Sequence, residues 1–188
     1  MTINQYSLVL SVLILVLGTA TLLSIASYLI SPLTRQWFGR IAYTTWLKLI
    51  GLFSTIATLG ALTYQFYYLT PVCLDCWWQR IFMFPIEIIV IISLFTKNKL
   101  NHLLTGVMAT LGIFFSIDHY SEHFENYVLG NPSLVPCSPI PGEPLCGVAP
   151  TVTFGFITIP FLALVTFATI IWLSYLAHRK SVTEGNRF

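Results

Sequence analysis

Charged side chains are scarce in this chain. Only 9% of its 188 residues are Asp, Glu, Lys or Arg, whereas 56% are hydrophobic and the mean hydropathy is +0.79. Soluble domains carry roughly 25% charged residues, so the composition excludes an ordinary soluble domain and favours an integral membrane protein. The net charge of +2 is small, and there is no Lys/Arg-rich run and no zinc-finger spacing. The sequence therefore gives no indication of a nucleic-acid partner.

Long apolar runs make up most of the chain. A helix that crosses a bilayer needs about 20 mostly apolar residues. Five segments meet this requirement, at residues 7–30, 46–69, 78–95, 101–117 and 152–176. Because they leave no room for a soluble domain, we expect one all-α, integral membrane helical bundle.

The first apolar run has to be distinguished from a secretory signal, which has a basic start, a shorter apolar stretch and a small-residue cleavage site. Residues 1–5 contain no Lys or Arg, and no convincing cleavage site follows at residues 31–35. We therefore expect a retained transmembrane helix rather than a cleaved leader.

Basic residues are distributed unevenly along the chain. Eight of the nine fall in three segments that share one side of a five-span topology, namely Arg35, Arg40, Lys48, Lys97, Lys99, Arg179, Lys180 and Arg187. Only Arg80 falls on the other side. The positive-inside rule assigns the basic side to the cytoplasm. We therefore expect a multi-pass protein of the cell (inner) membrane.

All four cysteines, Cys73, Cys76, Cys137 and Cys146, fall on the opposite, extracytoplasmic (periplasmic) side. Disulfides persist in oxidising compartments and are rare in the cytosol. Cysteine chemistry on this face is therefore more consistent with redox exchange than with zinc binding.

The segment 118–151 on that side has two parts. Aromatic and apolar residues recur at spacings of three to four over residues 120–128, which predicts a short helix lying in the membrane interface. Beyond residue 130, frequent prolines predict an irregular loop that carries Cys137 and Cys146. These cysteines form either a structural disulfide that staples the loop or a redox pair that exchanges with the first pair.

The most distinctive stretch contains a Cys-x-x-Cys pair, Cys73 and Cys76, followed by Trp77, Trp78 and Arg80. If Cys76 lies in the first turn of the third span, the helix dipole stabilises its thiolate, and the Arg80 cation one turn later adds to this effect. A thiolate, a cation and aromatic surface at lipid depth are suited to a quinone, which is a lipid-soluble electron acceptor.

Each of these residues also has a structural interpretation. The tryptophans fit an ordinary aromatic belt at the membrane boundary, and Arg80 could extend to the lipid headgroups. The cysteine pair could be half of a zinc site that Cys137 and Cys146 complete. On an oxidising face we expect no metal.

Residues 73–85 read Cys-x-x-Cys-Trp-Trp-Gln-Arg-Ile-Phe-Met-Phe-Pro, which resembles the signature of the DsbB/BdbC family of membrane disulfide-generating oxidoreductases. Residues 154–164 resemble the start of that family's last span, and the resemblance covers about residues 46–176. It implies a four-helix transmembrane bundle, to which residues 7–30 add one N-terminal transmembrane helix. It also implies that electrons pass from a thioredoxin-like, DsbA-like thiol oxidase to a quinone (ubiquinone or menaquinone), which supports disulfide bond formation in secreted proteins.

The resemblance assigns roles position by position. Cys73 and Cys76 match the redox pair near the quinone, and Cys137 and Cys146 match the outer-loop pair, the first of which forms a mixed disulfide with the partner. These four are the expected catalytic residues. The expected quinone-binding residues are Trp77, Gln79, Arg80 and His119.

The resemblance also divides the chain. Residues 46–177 are the expected redox domain, with the outer loop at 118–151. Residues 1–45 form an accessory helix and a cytoplasmic link, and residues 178–188 form a cytoplasmic tail.

Glu87 lies deep in the third span, where carboxylates are costly. It is expected either to relay a proton to the quinone or to hydrogen-bond to a neighbouring helix. The rival to an enzyme is a structural or transport membrane protein whose outer loops are stapled by two inert disulfides.

Overall fold

The structure is a computed structural model that describes residues 1–96, 101–131, 147 and 149–185. Within these residues the chain forms six helices: α1 (Ile3–Ile30), α2 (Pro32–Arg40), α3 (Tyr43–Phe66), α4 (Leu74–Thr96), α5 (Asn101–Tyr127) and α6 (Ile159–Gly185). Five of these six helices, all except the short α2, are long and apolar enough to cross a membrane. The expected all-α membrane bundle with an additional N-terminal helix is confirmed.

Helices α3 to α6 pack into a four-helix bundle around an apolar core. The fully buried side chains of this core include Ile50, Ile86, Ala109 and Ile170. Phe167 of α6 lies so close to α5 that a side-chain carbon added at Gly112 would overlap its ring. Such close packing holds helices together in lipid, where apolar burial alone provides no driving force.

Helix α1 lies outside the four-helix bundle and packs along α6. A capping box fixes its start, because the side chains of Thr2 and Gln5 each accept a hydrogen bond from the other residue's backbone N–H. Near its far end, the Tyr28 ring centroid lies 5.3 Å from that of Trp172. The cap places the start of the helix ahead of the predicted residue 7.

The link between α1 and α3 contains a helix that the sequence does not predict. Pro32 occupies the start of α2, and the Ser31 side chain accepts a hydrogen bond from the Thr34 N–H. Both residues are typical helix-start signals, but the helix is only nine residues long. It is too short for the apolar periodicity that reveals the longer helices.

The two ends of the bundle differ in charge. Lys180 Nζ donates a hydrogen bond to Gly39 O (2.7 Å), which brings the basic residues at the end of α6 next to those of α2. We call this end the basic end, and the opposite end, where Cys73 precedes α4, the cysteine end. The link 97–100, with two more of the basic residues, lies outside the described residues.

The prediction of a separate interfacial helix at residues 120–128 is wrong. These residues instead continue α5, which runs unbroken as far as Tyr127. After Gly112 no glycine or proline interrupts the stretch until Gly130, whose φ of +70° lies in the left-handed region where helices end. The continuous helix carries His119 to the cysteine end of the bundle.

The last span begins later than the predicted residue 152. Phe154 (φ +53°) and Gly155 (φ +79°) are both left-handed, and an antiparallel bridge between Thr153 and Ile157 closes the turn that they form. Consecutive left-handed residues belong to a tight turn and not to a right-handed helix. Helix α6 therefore starts only after this turn, and it continues past the predicted end of the span.

Candidate active site

A tight turn at the cysteine end joins α3 to α4. Leu69 adopts a left-handed conformation (φ +53°), and both the backbone N–H and the hydroxyl of Thr70 donate to Tyr64 O, at 3.0 and 2.7 Å. These hydrogen bonds satisfy a carbonyl at the end of α3 and reverse the chain. As a result Cys73 lies directly before α4 and Cys76 lies in its first turn.

The two cysteines contact each other as a free dithiol. Their Sγ atoms are 2.9 Å apart, whereas a disulfide bond is about 2.05 Å long. The Cys76 N–H donates to Cys73 Sγ (3.4 Å), and the Trp77 N–H donates to Cys73 O (3.3 Å). Cys73 therefore caps the N-terminus of α4, and Cys76 lies where the helix dipole stabilises an anion.

The two thiols have different surroundings. The hydrogen bond that Cys73 donates to the Cys76 sulfur, together with burial, raises the pKa of the Cys73 thiol well above its ordinary value. A weaker opposing effect comes from His119. Cys73 is 6% exposed and holds its proton, so the sulfur of Cys76 is the better nucleophile of the pair.

His119 of α5 connects the cysteine pair to α4. Its Nε2 lies 3.6 Å from Cys73 Sγ, and its Nδ1 lies 3.3 Å from Gln79 Nε2. Because an amide nitrogen only donates, His119 Nδ1 accepts from Gln79 and Nε2 carries the proton that faces Cys73. His119 and Gln79 are both buried, which fixes the ring in this orientation.

Arg80 lies inside the protein and does not extend to the headgroups. It is only 8% exposed, and it donates hydrogen bonds to Gln65 Oε1 and to Ala61 O (3.3 Å), both on α3. Its guanidinium carbon lies 5.3 Å from the centroid of the Trp77 ring. The snorkelling interpretation is therefore wrong, and the cation is held between α3 and a tryptophan face.

A cavity of about 440 Å³ lies between α1, α3, α4 and α6 and reaches Cys76. Its polar end is formed by Cys76, Gln79 and Arg80 together with Tyr64. The other lining residues are mostly apolar, including Phe53 and others deeper in the bundle. A cavity that is apolar along its length and carries a few polar groups at one end is typical of a site for a small, largely apolar molecule.

The predicted quinone-binding residues divide into two groups. Gln79 and Arg80 line the cavity, and Cys76 does so as well. Among the described residues, Trp77 and His119 are not part of the cavity lining. They instead contact residues that line the cavity. The Trp77 ring packs against Arg80, and His119 is hydrogen-bonded to Gln79.

Several residues of the site were not predicted from the sequence. Gln65 and Tyr64 of α3 are not among the predicted site residues, and α1 is predicted to be an accessory helix. The signal for Gln65 is an amide near the end of an otherwise apolar span. No signal in the sequence shows which helix lies against α1, because that contact depends on packing between distant segments.

Two further predictions concern residues at or beyond the edge of the site. Cys137 and Cys146 lie outside the described residues, so their pairing and their redox role stay predictions. Glu87 does not line the cavity, and its Oε1 is buried with no hydrogen-bond partner among the described residues.

The site also contains a possible set of metal ligands. One ligand atom each from Cys73, Cys76 and His119 lies within 4.8 Å of the other two. Two sulfurs and one imidazole nitrogen are a ligand combination that zinc accepts. The remaining ligands of the zinc alternative, Cys137 and Cys146, are outside the described residues.

The similarity of this chain to known proteins is concentrated in α3 to α6. The family model described as "Disulfide bond formation protein DsbB" matches residues 43–177. The chain belongs to the DsbB family. It is a membrane protein of the disulfide bond formation type, with α1 and α2 ahead of the matched region.

The individual proteins to which the chain is similar agree with this assignment. Disulfide bond formation protein C of Bacillus subtilis is 37% identical over 129 residues, which cover 69% of this chain and 86% of that protein. A probable disulfide formation protein C of Halalkalibacterium halodurans is 34% identical over 125 residues, 66% of this chain and 86% of its own. A probable disulfide formation protein of Coxiella burnetii is 31% identical over 134 residues, which cover 71% of this chain and 83% of that protein. No solved structure matches the chain.

Proposed function

We propose that this DsbB-family protein is a thiol:quinone oxidoreductase, which reoxidises a thioredoxin-like dithiol protein and passes the electrons to a membrane quinone. The observation that carries the proposal is the cavity, in which Cys76 and Arg80 form one end of a mostly apolar space. A quinone matches this arrangement, since its carbonyl oxygens accept hydrogen bonds and its ring and tail are apolar.

The proposed reaction at the cavity is a balanced two-electron exchange. The dithiol of Cys73 and Cys76 loses two electrons and two protons and becomes a disulfide. The quinone gains both and becomes a quinol, which returns to the lipid. Cys76 faces the quinone because it lines the cavity, and the N-terminus of α4 and the Arg80 cation stabilise its thiolate.

Arg80 serves the proposed reaction in a second way. Negative charge develops on the quinone oxygens as electrons arrive. A guanidinium that is already held in place by Gln65 and Ala61 stabilises that charge without having to reorganise.

The cysteine pair must be re-reduced between turnovers. By resemblance, Cys137 and Cys146 form the disulfide that oxidises the partner's dithiol, and they then pass its two electrons to the Cys73–Cys76 disulfide. Each transfer proceeds through a mixed disulfide, so the number of thiols and disulfides is conserved at every step. We propose the extracytoplasmic face of the cell membrane as the location, since disulfides persist there.

Quinone reduction by the purified protein tests this proposal. A reduced thioredoxin-like dithiol protein is the electron donor, and quinone absorbance is followed over time. We expect Cys76→Ala to abolish quinone reduction. The control variant Ser121→Ala removes an exposed hydroxyl from α5 near the cysteine end of the bundle. It should leave the rate of quinone reduction unchanged. Full activity of Cys76→Ala would overturn the proposal.

Thiol trapping separates the proposal from the rival of a structural or transport protein with inert disulfides. The free thiols are labelled with a maleimide after addition of the reduced donor, and again after addition of quinone. Separate samples are labelled at the two stages, and cycling cysteines are labelled in the first sample and protected in the second. Inert disulfides stay unlabelled throughout. Cys146→Ala leaves Cys137 without the disulfide that the donor's thiol would attack, so we expect the donor to stay reduced when quinone is added.

A further inference from the structure

One wall of the cavity is formed by α1, which lies ahead of the region that the DsbB family model matches. Leu10, Ile14 and Leu17 of α1 line the cavity, and α3 and α6 form the walls on either side. The four matched helices alone would leave this space as an open groove between α3 and α6. In this chain α1 covers that groove.

Polar contacts fasten α1 at the cysteine end. Ser7 Oγ lies 2.7 Å from Tyr64 Oη of α3 and 2.9 Å from Thr151 Oγ1. The Tyr6 and Tyr64 ring centroids are 5.2 Å apart. Ser7 is 3% exposed, so these hydroxyl contacts are shielded and hold α1 against α3 directly above the polar end of the cavity.

Farther along, α1 is held against α6. A side-chain carbon at Gly18 would lie 3.2 Å from Val165 Cγ1, and Thr21 Oγ1 lies 3.0 Å from Thr169 Oγ1. Helix α1 packs closely along α6, whereas the cavity separates its middle from α3. The contacts of Ser7 at the cysteine end and those of Gly18 and Thr21 with α6 therefore hold α1 at a fixed distance from α3.

The cavity opens toward the lipid between α1 and α3. Leu13 of α1 and Ile56 of α3 both line it, yet they are 55% and 46% exposed. Side chains that line a cavity and are also half exposed mark its opening. Because both are apolar and belong to membrane-spanning helices, the opening faces the hydrocarbon of the bilayer.

The cavity is longer than a quinone ring. Its lining on α3 extends from Tyr64 to Phe53, and at a rise of 1.5 Å per residue this corresponds to about 16 Å along the helix. The polar groups Cys76 and Arg80 lie at the end near Tyr64, whereas Leu17 lies on the deeper, apolar part. A ring at the polar end thus leaves the deeper part for an apolar chain.

We propose that α1 is the wall that binds the isoprenoid tail of the quinone, and that the gap between α1 and α3 is the portal through which the quinone enters from the bilayer. This inference rests on the proposed thiol:quinone activity. It assigns Leu17 to the tail and Leu13 to the rim of the portal. Helix α1, which lies outside the region that the family model matches, then determines which quinone side chains fit the cavity.

Two quinones that differ only in the presence of a tail test this inference on the full-length protein. One probe is a benzoquinone with a decyl side chain, and the other is the same ring with a methyl group in that place. In Leu17→Trp the larger side chain fills the deep part of the cavity. We expect KM for the decyl quinone to rise about tenfold, the equivalent of about 1.4 kcal/mol, because the larger side chain takes the space of the tail. KM for the tailless quinone should stay within about twofold of wild type.

The matched control is Leu23→Trp, which makes the same change on α1 at a side chain that is 70% exposed and does not line the cavity. It should leave both KM values unchanged. Leu13→Trp places the bulk at the half-exposed rim and should also raise KM for the decyl quinone selectively. Leu13→Trp therefore tests the inference even if Leu17→Trp does not fold.

The outcomes separate the inference from the proposed function. If the wild-type protein reduces neither quinone, the proposed function is wrong. If the wild-type protein reduces both and folded Leu17→Trp and Leu13→Trp match it, only the role of α1 is overturned. An equal rise in both KM values would overturn it too, because the deep part of the cavity would then hold something other than the tail, such as a lipid acyl chain.

Discussion

The Arg80 guanidinium donates a hydrogen bond to the amide oxygen of Gln65 and thereby ties the start of α4 to the end of α3. A second hydrogen bond, to Ala61 O, comes from the other terminal nitrogen. Arg80 is 8% exposed, so its charge depends on these partners for solvation. The same contacts orient the cation at the polar end of the cavity.

Replacing Gln65 by Leu should therefore weaken both the fold and the site. A hydrogen bond to a charged group contributes about 1.5–3 kcal/mol, so we expect a loss of that order in the free energy of unfolding. The KM for quinone should rise as well. Thermal unfolding in detergent and quinone kinetics measure the two effects. Gln36→Leu, the same change at an exposed position of α2, is the control. Equal stability of the two variants would contradict the role of Gln65.

His119 should act as a positioning residue for the cysteine pair. His119→Asn removes the Nε2–H that faces Cys73 Sγ at 3.6 Å. We expect oxidation of the dithiol by quinone to slow about tenfold, the equivalent of one hydrogen bond of about 1.4 kcal/mol. The dependence of that rate on pH should change too, which a purely structural role would not cause.

The control for this substitution is His178→Asn at the basic end, where His178 Nδ1 lies 3.1 Å from His102 Nε2. It makes the same chemical change far from the cysteines and should leave the pH profile unchanged. Identical profiles for His119→Asn and wild type would show that His119 does not assist the thiols.

The reactivity of Cys73 should depend steeply on pH. Its pKa is raised by the hydrogen bond to Cys76 and by burial, and burial persists in Cys76→Ala. With the outer-loop cysteines also replaced by Ala, alkylation of Cys73 should accelerate about tenfold per pH unit without a plateau up to about pH 9. For comparison, Cys73 is also replaced by Ala in the same background and an exposed cysteine is introduced by Ser121→Cys. The alkylation rate of this cysteine should level off above about pH 8.5. A plateau for Cys73 near the same pH would contradict the burial effect.

The raised pKa of Cys73 also has a consequence for stability. The folded protein holds this proton more tightly than the unfolded chain does. The stabilisation is therefore complete below the ordinary thiol pKa of about 8.5, and it is lost as pH rises above that value.

Gly112 should tolerate no side chain. A Cβ at this position would overlap the ring of Phe167, which is fully buried and lines the cavity. We expect Gly112→Ala to lower the free energy of unfolding by about 1–3 kcal/mol through overpacking. Gly39→Ala is the control, since a Cβ there would meet nothing within 4 Å. Thermal unfolding measures both, and Phe167→Leu should partly restore Gly112→Ala.

The apolar runs were enough to predict the five spans, because the length and polarity of a membrane helix are properties of the local sequence. The ends of the spans were less predictable. The continuation of α5 to Tyr127 and the late start of α6 depend on where left-handed residues fall, at Gly130 and at Phe154 with Gly155. Aromatic spacing near residue 120 fits an interfacial helix and an extended span equally well.

The sequence by itself determined the chemistry of the site. The Cys-x-x-Cys spacing and the start of α4 place Cys76 at a helix N-terminus, and Arg80 follows one turn later because four residues separate them. These relationships are local, so no tertiary contact is needed to establish them.

Only the tertiary structure decided what surrounds that chemistry. The pairing of Arg80 with Gln65, the approach of His119 to Cys73, and the position of α1 over the groove all join segments that are far apart in sequence. In lipid, helices associate through side-chain fit and a few polar contacts, such as Ser7 with Tyr64. Apolar pattern does not encode such contacts, so the wall of the cavity emerges only when the helices are packed.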